Sequence, residues 1–434
     1  MKAKINVTLL ASLTLLLAGV MLRLGYPFVH NPMDYQLVSD PLRHAGGIAE
    51  TPAIMAILDP PLYKLWTGAL LAAGSADKTL VAALCAGLSL ATPLLYYLLL
   101  RSCVHSRALA LLGAGIISLL PSWICYSSYF MQENLLLPLT ALALLLTWKA
   151  GKDKRSSDCF LAALAWGATV NAKATALPLL VLAWTGLCYY SLKDGITKRL
   201  VLSLVASSAL TILLCLVSPL LVWQRLGVFI PVPQEPFNRA YFESGRQILA
   251  LDCSFIDRAS PDTGTQKQTF RIETPAIYDP PLRPFAYWRT GRQGTARAIV
   301  DLTGSTPILT GIEKPSLKRR LELISENAVY LLLGDTWPVD DETPQGILNR
   351  AASWSRFLWL PVIGLLSFSF LALRSRSPAT ALCLSYLTFL LVQQSVVMEG
   401  RYRMVWEGLA IVALIESIDR LRCKKQSSSS LEAI

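Results

Sequence analysis

The sequence predicts an all-α polytopic membrane protein, on three observations. Apolar residues gather into runs of roughly 16 to 24, the length at which a helix crosses the hydrocarbon core of a bilayer. Only 16% of the 434 residues are charged while 53% are hydrophobic, whereas a soluble domain averages about 25% charged. Basic residues also collect in the segments between alternate runs, which weighs against a water-soluble enzyme and for a chain threaded back and forth through a membrane.

Taken in order, the first apolar run, 7–22, follows Lys2 and Lys4 and has the look of a signal peptide. No small-x-small cleavage site follows it cleanly, so it reads as an uncleaved first span. Further runs cover 78–100, 107–125, 131–148, 158–172, 174–191, 200–222, 355–373, 379–397 and 402–418. That makes about ten transmembrane helices with both termini cytoplasmic. The run 158–172 is short, and Asn171-Ala172-Lys173 interrupts it before the next begins; this reads as a tight hairpin at the outer face. Pro93, Pro121, Pro138, Pro178, Pro219 and Pro361 fall within or at the ends of spans, where neighbouring helices satisfy the freed carbonyls.

The net charge of +11 does not imply a nucleic-acid partner, because of where it sits. The segments assigned to the cytoplasm hold 17 Lys and Arg against five acids, a local excess of +12. The remainder of the chain is close to neutral, so the excess orients the spans by the positive-inside rule.

Two segments do not read as membrane. Residues 25–77 form a first outer loop with turn-rich Asn31-Pro32 and with Asp59-Pro60-Pro61, where an aspartate cap and a proline in the first turn start a helix. Over 62–73 that helix carries Tyr63, Leu65, Trp66 and Leu70, suiting an interfacial helix with aromatic anchors. Residues 225–353 hold 15 basic and 15 acidic residues and are rich in Pro, Gly and Thr, as expected of a solvated outer α or α+β segment. Within it, Leu317 to Leu333 alternates Lys318, Arg319 and Arg320 with leucines and isoleucine, the pattern of an amphipathic surface helix. The chain therefore divides into a membrane module at 1–224, an extracytoplasmic segment at 225–353 and three C-terminal spans with a cytoplasmic tail at 354–434.

Nine cysteines are scattered singly, which leaves no disulfide framework and no CxxC zinc site. Most lie in or beside apolar runs, where cysteine acts as a small hydrophobe. Three histidines in the whole chain, none at helical ligand spacing, argue against a metal centre built by His30 and His44 with Asp34 and Asp40. The residues require no cofactor, and a divalent metal is left open. Gly113-Ala114-Gly115 lies inside a span and reads as helix packing. Trp123, Tyr126, Trp223, Trp354 and Trp359, near span ends, read as interface-belt residues.

Polar and ionisable groups at membrane depth are costly and therefore functional candidates. Here they cluster at the outer face: Asp34, Asp40, Arg43 and His44 in the first loop, Gln132-Glu133-Asn134 at the fourth span, Lys173 in the hairpin, and Glu399, Arg401, Tyr402 and Arg403 at the last span. Carboxylates beside cations suit general-base chemistry with a phosphate leaving group, and equally suit charged-lipid binding without chemistry.

Four short motifs go further. Pro60-Pro61-Leu62-Tyr63 opens the loop helix, Glu133 precedes Leu135-Leu136-Leu137, Asn171-Ala172-Lys173-Ala174-Thr175-Ala176-Leu177-Pro178 spans the hairpin, and Arg401-Tyr402 stands before the last span. With one span, a long outer loop and six further spans, the arrangement over roughly 1–230 resembles the C-type glycosyltransferase superfamily. The similarity is to the branch of protein O-mannosyltransferases and lipid A aminoarabinose transferases. The resemblance implies a C-type glycosyltransferase fold and an inverting enzyme of the bacterial cytoplasmic membrane, its active site facing the periplasm. The donor would be a sugar on polyprenyl phosphate, and the acceptor an unspecified protein, lipid or glycan. It implies catalytic roles for Asp40, Asp34 and Glu133, with a first-loop aspartate as base. Asp40 is preferred, since Pro41 sets a turn and Arg43 and His44 follow it. Lys173, Arg401 and Arg403 would bind the lipid phosphate, with Tyr402, Arg43, His44 and Tyr63 beside the sugar or lipid.

Structural alternatives accompany each role. Asp40 can cap a helix at Pro41, Asp34 can bond its own turn, Glu133 can cap the fourth span, Lys173 can snorkel to headgroups, and Arg403 can pair with Glu407 one turn on. At the level of function, the alternatives are an O-antigen ligase or polymerase and a polytopic lipid or sugar transporter.

Overall fold

The computed structural model describes residues 7–29, 60–73, 77–127, 131–193, 197–236, 248–258, 267–273, 296–303, 308–310, 316–333, 351, 354–371, 377–392 and 400–431. The expected first-loop residues Asp34, Asp40, Arg43 and His44, together with Asp59 and Glu399, lie outside them.

Helix occupies each of the ten apolar runs. In chain order the helices are α1 (Val7–Val29), α2 (Pro61–Ala73), α3 (Lys78–Ser89), α4 (Ala91–Cys103), α5 (Arg107–Ser118), α6 (Pro121–Tyr126), α7 (Gln132–Asp153), α8 (Ser156–Ala172), α9 (Leu177–Lys193), α10 (Lys198–Cys215) and α11 (Val217–Leu226). After a small sheet follow α12 (Leu317–Leu333), α13 (Trp359–Leu371), α14 (Pro378–Val392) and α15 (Met404–Leu431). Among the described residues, four stretches are long and apolar enough to cross a membrane by themselves: Thr79–Cys103, Gln132–Asp153, Ala174–Ser191 and Lys198–Leu226. Their outward faces are apolar. On α10, Leu202, Val205, Ile212 and Leu213 are each about 60% exposed, and Leu10, Leu17 and Met21 on α1 are 57–69% exposed. Such surface is tolerable where the surroundings are lipid. The molecule is a mostly helical, integral membrane protein.

Local chemistry places the breaks. Asp77, Ser106 and Thr197 stand in extended backbone and accept the N–H three residues on, from Leu80, Leu109 and Leu200 respectively, each satisfying an orphan donor at a helix start. Pro121 begins α6 at the first helical position. Gly227, at φ +73°, ends α11 by donating its N–H to Trp223 O.

Small residues let the helices approach. The seam between α1 and α5 passes at Gly19 against Ser118 and at Gly115 against Leu15, while Gly113 leaves room for Leu100, so the Gly113–Gly115 stretch does pack helices. The last helix is the centre of the bundle. From Arg403 to Ser417 every residue of α15 and its approach except Leu414 is buried, the signature of a helix enclosed on all sides. It packs on α4, α5, α7, α13 and α14.

The acids at the far end of α15 clasp other helices. Glu416 accepts from Ser377 Oγ at 2.5 Å, from the Ala379 N–H at the start of α14, and from Arg420. Asp419 accepts the N–H groups of His105 and Ser106 at 2.8 and 3.4 Å just before α5. Burial alone would raise the Asp419 carboxyl, but the N–H and imidazole of His105 and the N–H of Ser106 hold it below the usual carboxylate range.

The segment 225–353 contains strands, where the sequence left α and α+β open. β1 (Ile248–Ile256), β2 (Lys267–Glu273), β3 (Ala296–Asp301) and β4 (Ile308–Thr310) form a sheet in the order β2-β1-β3-β4. β1 runs antiparallel to β2 and parallel to β3, with Cys253 opposite Val300 and Phe270. Cys253, Phe255 and Val300 are buried, and burial pushes the Cys253 thiol up to about 12, so it stays protonated and inert. The sheet is moored to the membrane module where Arg258 N–H bonds Arg225 O at 2.8 Å and Arg225 meets Asp257 at 3.4 Å. α12 occupies the stretch 317–333 expected to form the amphipathic helix.

A test of the central packing follows from Gly408. A Cβ there would lie 2.2 Å from Tyr96 Oη and 2.9 Å from Trp123, both inside the core. Gly408→Ala should cost about 1–3 kcal/mol and lower the melting temperature in detergent; an unchanged melting temperature would show that α15 shifts freely against α4 and α6.

Candidate functional site

The site grows from the N-terminal end of α7. Glu133 lies in its first turn, and Met131 before it supplies no side-chain cap. The next residue, Asn134, donates Nδ2 to Ser127 O at 2.7 Å, tying the start of α7 to the end of α6. Opposite, α8 ends at Ala172, and Asn171 donates to Gly167 O and Leu214 O, both at 2.8 Å. That amide therefore pins the hairpin to α10. Lys173 follows in extended backbone, its own N–H bonded to Thr169 O, and this swings its side chain back toward α7.

Lys173 Nζ donates to Glu133 Oε1 as a buried ion pair. Lysine is 5% and glutamate 2% exposed, so Lys173 does not snorkel to headgroups. An ion pair at this depth loses most of its hydration and depends on close geometry to persist.

The third component comes from the other end of the sequence. A 3-10 turn, Gly400–Arg403, leads into α15. Its Tyr402 ring lies under Lys173 Nζ at 4.7 Å and under the Arg401 guanidinium at 5.3 Å, so two cations share one aromatic face system. Glu133, Lys173, Thr175, Tyr386, Arg401 and Tyr402 together line a cleft. The cleft is narrow, with room for about one water-sized group, so a single anionic oxygen can reach between Lys173 and Arg401.

Arg403 stands apart from that cleft. It is 1% exposed, donates Nε to Glu407 Oε1 at 2.9 Å and Nη1 to Leu331 O and Leu332 O at 2.7 and 2.9 Å. The two carbonyls belong to the last turn of α12, where a cation is favoured. Glu407 in turn accepts Trp123 Nε1 at 3.0 Å. The pairing of Arg403 with Glu407 thus extends into a buried bridge from α12 through α15 to α6. Tyr63 is buried on α2, its ring 5.9 Å from that of Trp66, and it does not line the cleft.

Trp123, Tyr126 and Trp359, expected in the interface belt, lie instead in the core, 1%, 1% and 5% exposed. Trp223 and Trp354 are exposed, at 53% and 70%. Tyr386, with no charged or turn-forming neighbour in the sequence to mark it as a candidate, also reaches the cleft, from α14. At the opposite end of α7 the ligand atoms of His105, Asp419 and Cys423 gather within 4.8 Å of one another. Both Asp419 oxygens there already accept backbone N–H groups, so that group serves as a clasp.

Residues 59–223 match the family model described as dolichyl-phosphate-mannose-protein mannosyltransferase. This is a glycosyltransferase family of the C-type superfamily and matches the resemblance carried by the four motifs. The match includes Pro60-Pro61-Leu62-Tyr63, Glu133 and Lys173 and ends before the sheet and the 3-10 turn of Arg401. No curated protein and no solved structure matches the chain.

The ion pair makes a separable prediction about stability. Glu133→Gln or Lys173→Met alone strands a buried charge and should cost about 3–5 kcal/mol. The double variant should regain most of that in a thermal melt, whereas additive losses would show that the two side chains do not depend on each other.

Proposed function

We propose that the protein transfers a sugar from a polyprenyl phosphate to an acceptor at the outer membrane face, with inversion at the anomeric carbon. The observation that carries this reading is the convergence of Lys173, from the stretch that matches the glycosyltransferase family model, and of Arg401, from beyond it, on Tyr402, at the end of the bundle away from the basic loops. Glu133 at one end of α7 and Lys152 at the other are about 28 Å apart by helix rise, nearly the thickness of the hydrocarbon core. The positive-inside rule then puts Lys152 and both termini in the cytoplasm and the cleft at the outer face.

In the proposed step an acceptor hydroxyl or amine attacks the anomeric carbon from the side opposite the phosphate. The new bond forms as the carbon–oxygen bond to phosphate breaks, and that electron pair leaves on the polyprenyl phosphate. Asp40 takes the acceptor proton as general base; Asp34, six residues before it, is the second choice.

The cleft residues act on the leaving group. An ammonium has three N–H donors, and Glu133 uses one of Lys173's, leaving two for a phosphate oxygen. Glu133 thereby sets the position of the cation instead of taking a proton. Arg401 offers the planar fork that suits two phosphate oxygens, and its stacking on Tyr402 preorganises it. Both cations stabilise charge that develops on the phosphate as the bond breaks.

The test is sugar transfer from a panel of polyprenyl-phosphate sugars in membranes containing each variant. Asp40→Asn should lower turnover by about 100-fold or more while donor binding persists, and Arg401→Ala should raise the donor KM above all. Loss with Asp34→Asn in place of Asp40→Asn would move the base to Asp34. Full activity in both aspartate variants contradicts a first-loop base.

A further inference from the structure

A second feature lies at the basic end of the bundle, away from the cleft. There α4, α7, α9, α14 and α15 part around a cavity of about 620 Å³, within the range of about 300–1,000 Å³ usual for ligand sites. Its walls are apolar: Leu99, Leu144, Leu182, Leu187, Leu382 and Leu409 contribute to them. Its mouth is cationic, with Arg101, Lys152 and Arg420, and among the residues that line it none is acidic.

The cations at the mouth differ in how far they are already committed. Arg420 is tied to Glu416 at 2.8 Å and His105 to Asp419 at 3.0 Å. Arg101 reaches only the Val104 carbonyl, at 3.4 Å, and neither it nor the exposed Lys152 has a carboxylate partner among the described residues. Two uncompensated cations thus stand over an apolar chamber.

The depth of the chamber is informative. From Lys152 to Leu144 on α7 is about 12 Å of helix rise, and from Arg420 to Leu409 on α15 about 16 Å. The hydrocarbon of one leaflet is about 15 Å deep, half of the bilayer core. A ligand with an anionic head at the mouth and chains the length of one leaflet fits both the charge and the depth.

We propose that this cavity holds one anionic phospholipid drawn from the leaflet at that end, its phosphate on Arg101 and Lys152 and its acyl chains among the leucines. The site is independent of sugar transfer and does not rest on the glycosyltransferase reading. The charge at the mouth decides the headgroup, since a neutral lipid would leave both cations unanswered. A lipid seated there would join α7 and α9 of the membrane module to α14 and α15, which otherwise part at this end.

The test is native mass spectrometry of the full chain reconstituted in equal amounts of phosphatidylglycerol and phosphatidylcholine. The wild type should retain one phosphatidylglycerol, enriched about fivefold or more over phosphatidylcholine given the attraction of each surface cation. Arg101→Gln with Lys152→Gln should abolish the enrichment. Gly186 lines the cavity, and a Cβ there meets nothing within 4 Å, so Gly186→Leu should narrow the chamber, leave the melt of delipidated protein unchanged and lower the amount of lipid retained. Retention of both lipids in their bulk ratio by the wild type, undiminished retention by Gly186→Leu, or a polyprenyl phosphate bound in place of phospholipid would each overturn the proposal.

Discussion

A charge enclosed among apolar helices must find a partner, because neither lipid nor core side chains can solvate it. Most of this architecture follows from how its buried charges meet that demand. Glu133 and Lys173 answer each other. Arg403 takes two carbonyls from the end of α12 and the Glu407 carboxylate from the first turn of α15. At the other end of α15, Glu416 and Asp419 accept N–H groups at the starts of α14 and α5. The helix is thus held by a cation at one end and anions at the other, each placed against the helix terminus whose partial charge it complements.

The same demand ties distant parts of the chain to one site. Residues 59–223 match the mannosyltransferase family, yet the aromatic ring against Lys173 comes from position 402. The C-terminal helices, beyond the matched stretch, therefore complete the cleft. Their anchorage through Arg403 and Glu407 sets where Tyr402 and Arg401 stand, although Arg403 itself does not line the cleft.

Much of the membrane architecture was legible because its signal is local. Apolar runs, caps such as Asp77 and Thr197, and the breaks at Pro121 and Lys173 can all be read in windows of a few residues. The amphipathic stretch 317–333 was legible for the same reason, its period showing within the segment. The sheet was not, since β3 and β4 are short and β1 finds its parallel partner only after a long excursion through β2. The aromatic residues show the other limit. Trp123 reads as a belt residue from its place near a span end, and its burial depends on Glu407, 284 residues away. In the site, Glu133, Lys173, Arg401 and Tyr402 were legible as polar residues at membrane depth, while the pairing that orders them, and the contribution of Tyr386, depend on tertiary packing.

On the proposed function, the lipid phosphate of the donor meets Lys173 and Arg401. The most direct measurement is photolabelling of the purified protein with a polyprenyl phosphate carrying a diazirine beside the phosphate, followed by mapping of the modified peptides. Label in the stretches 171–175 and 400–403, displaced by unlabelled polyprenyl phosphate, is the expected result. Label confined to the opposite end, around Arg101 and Lys152, would contradict the assignment of the donor to this cleft.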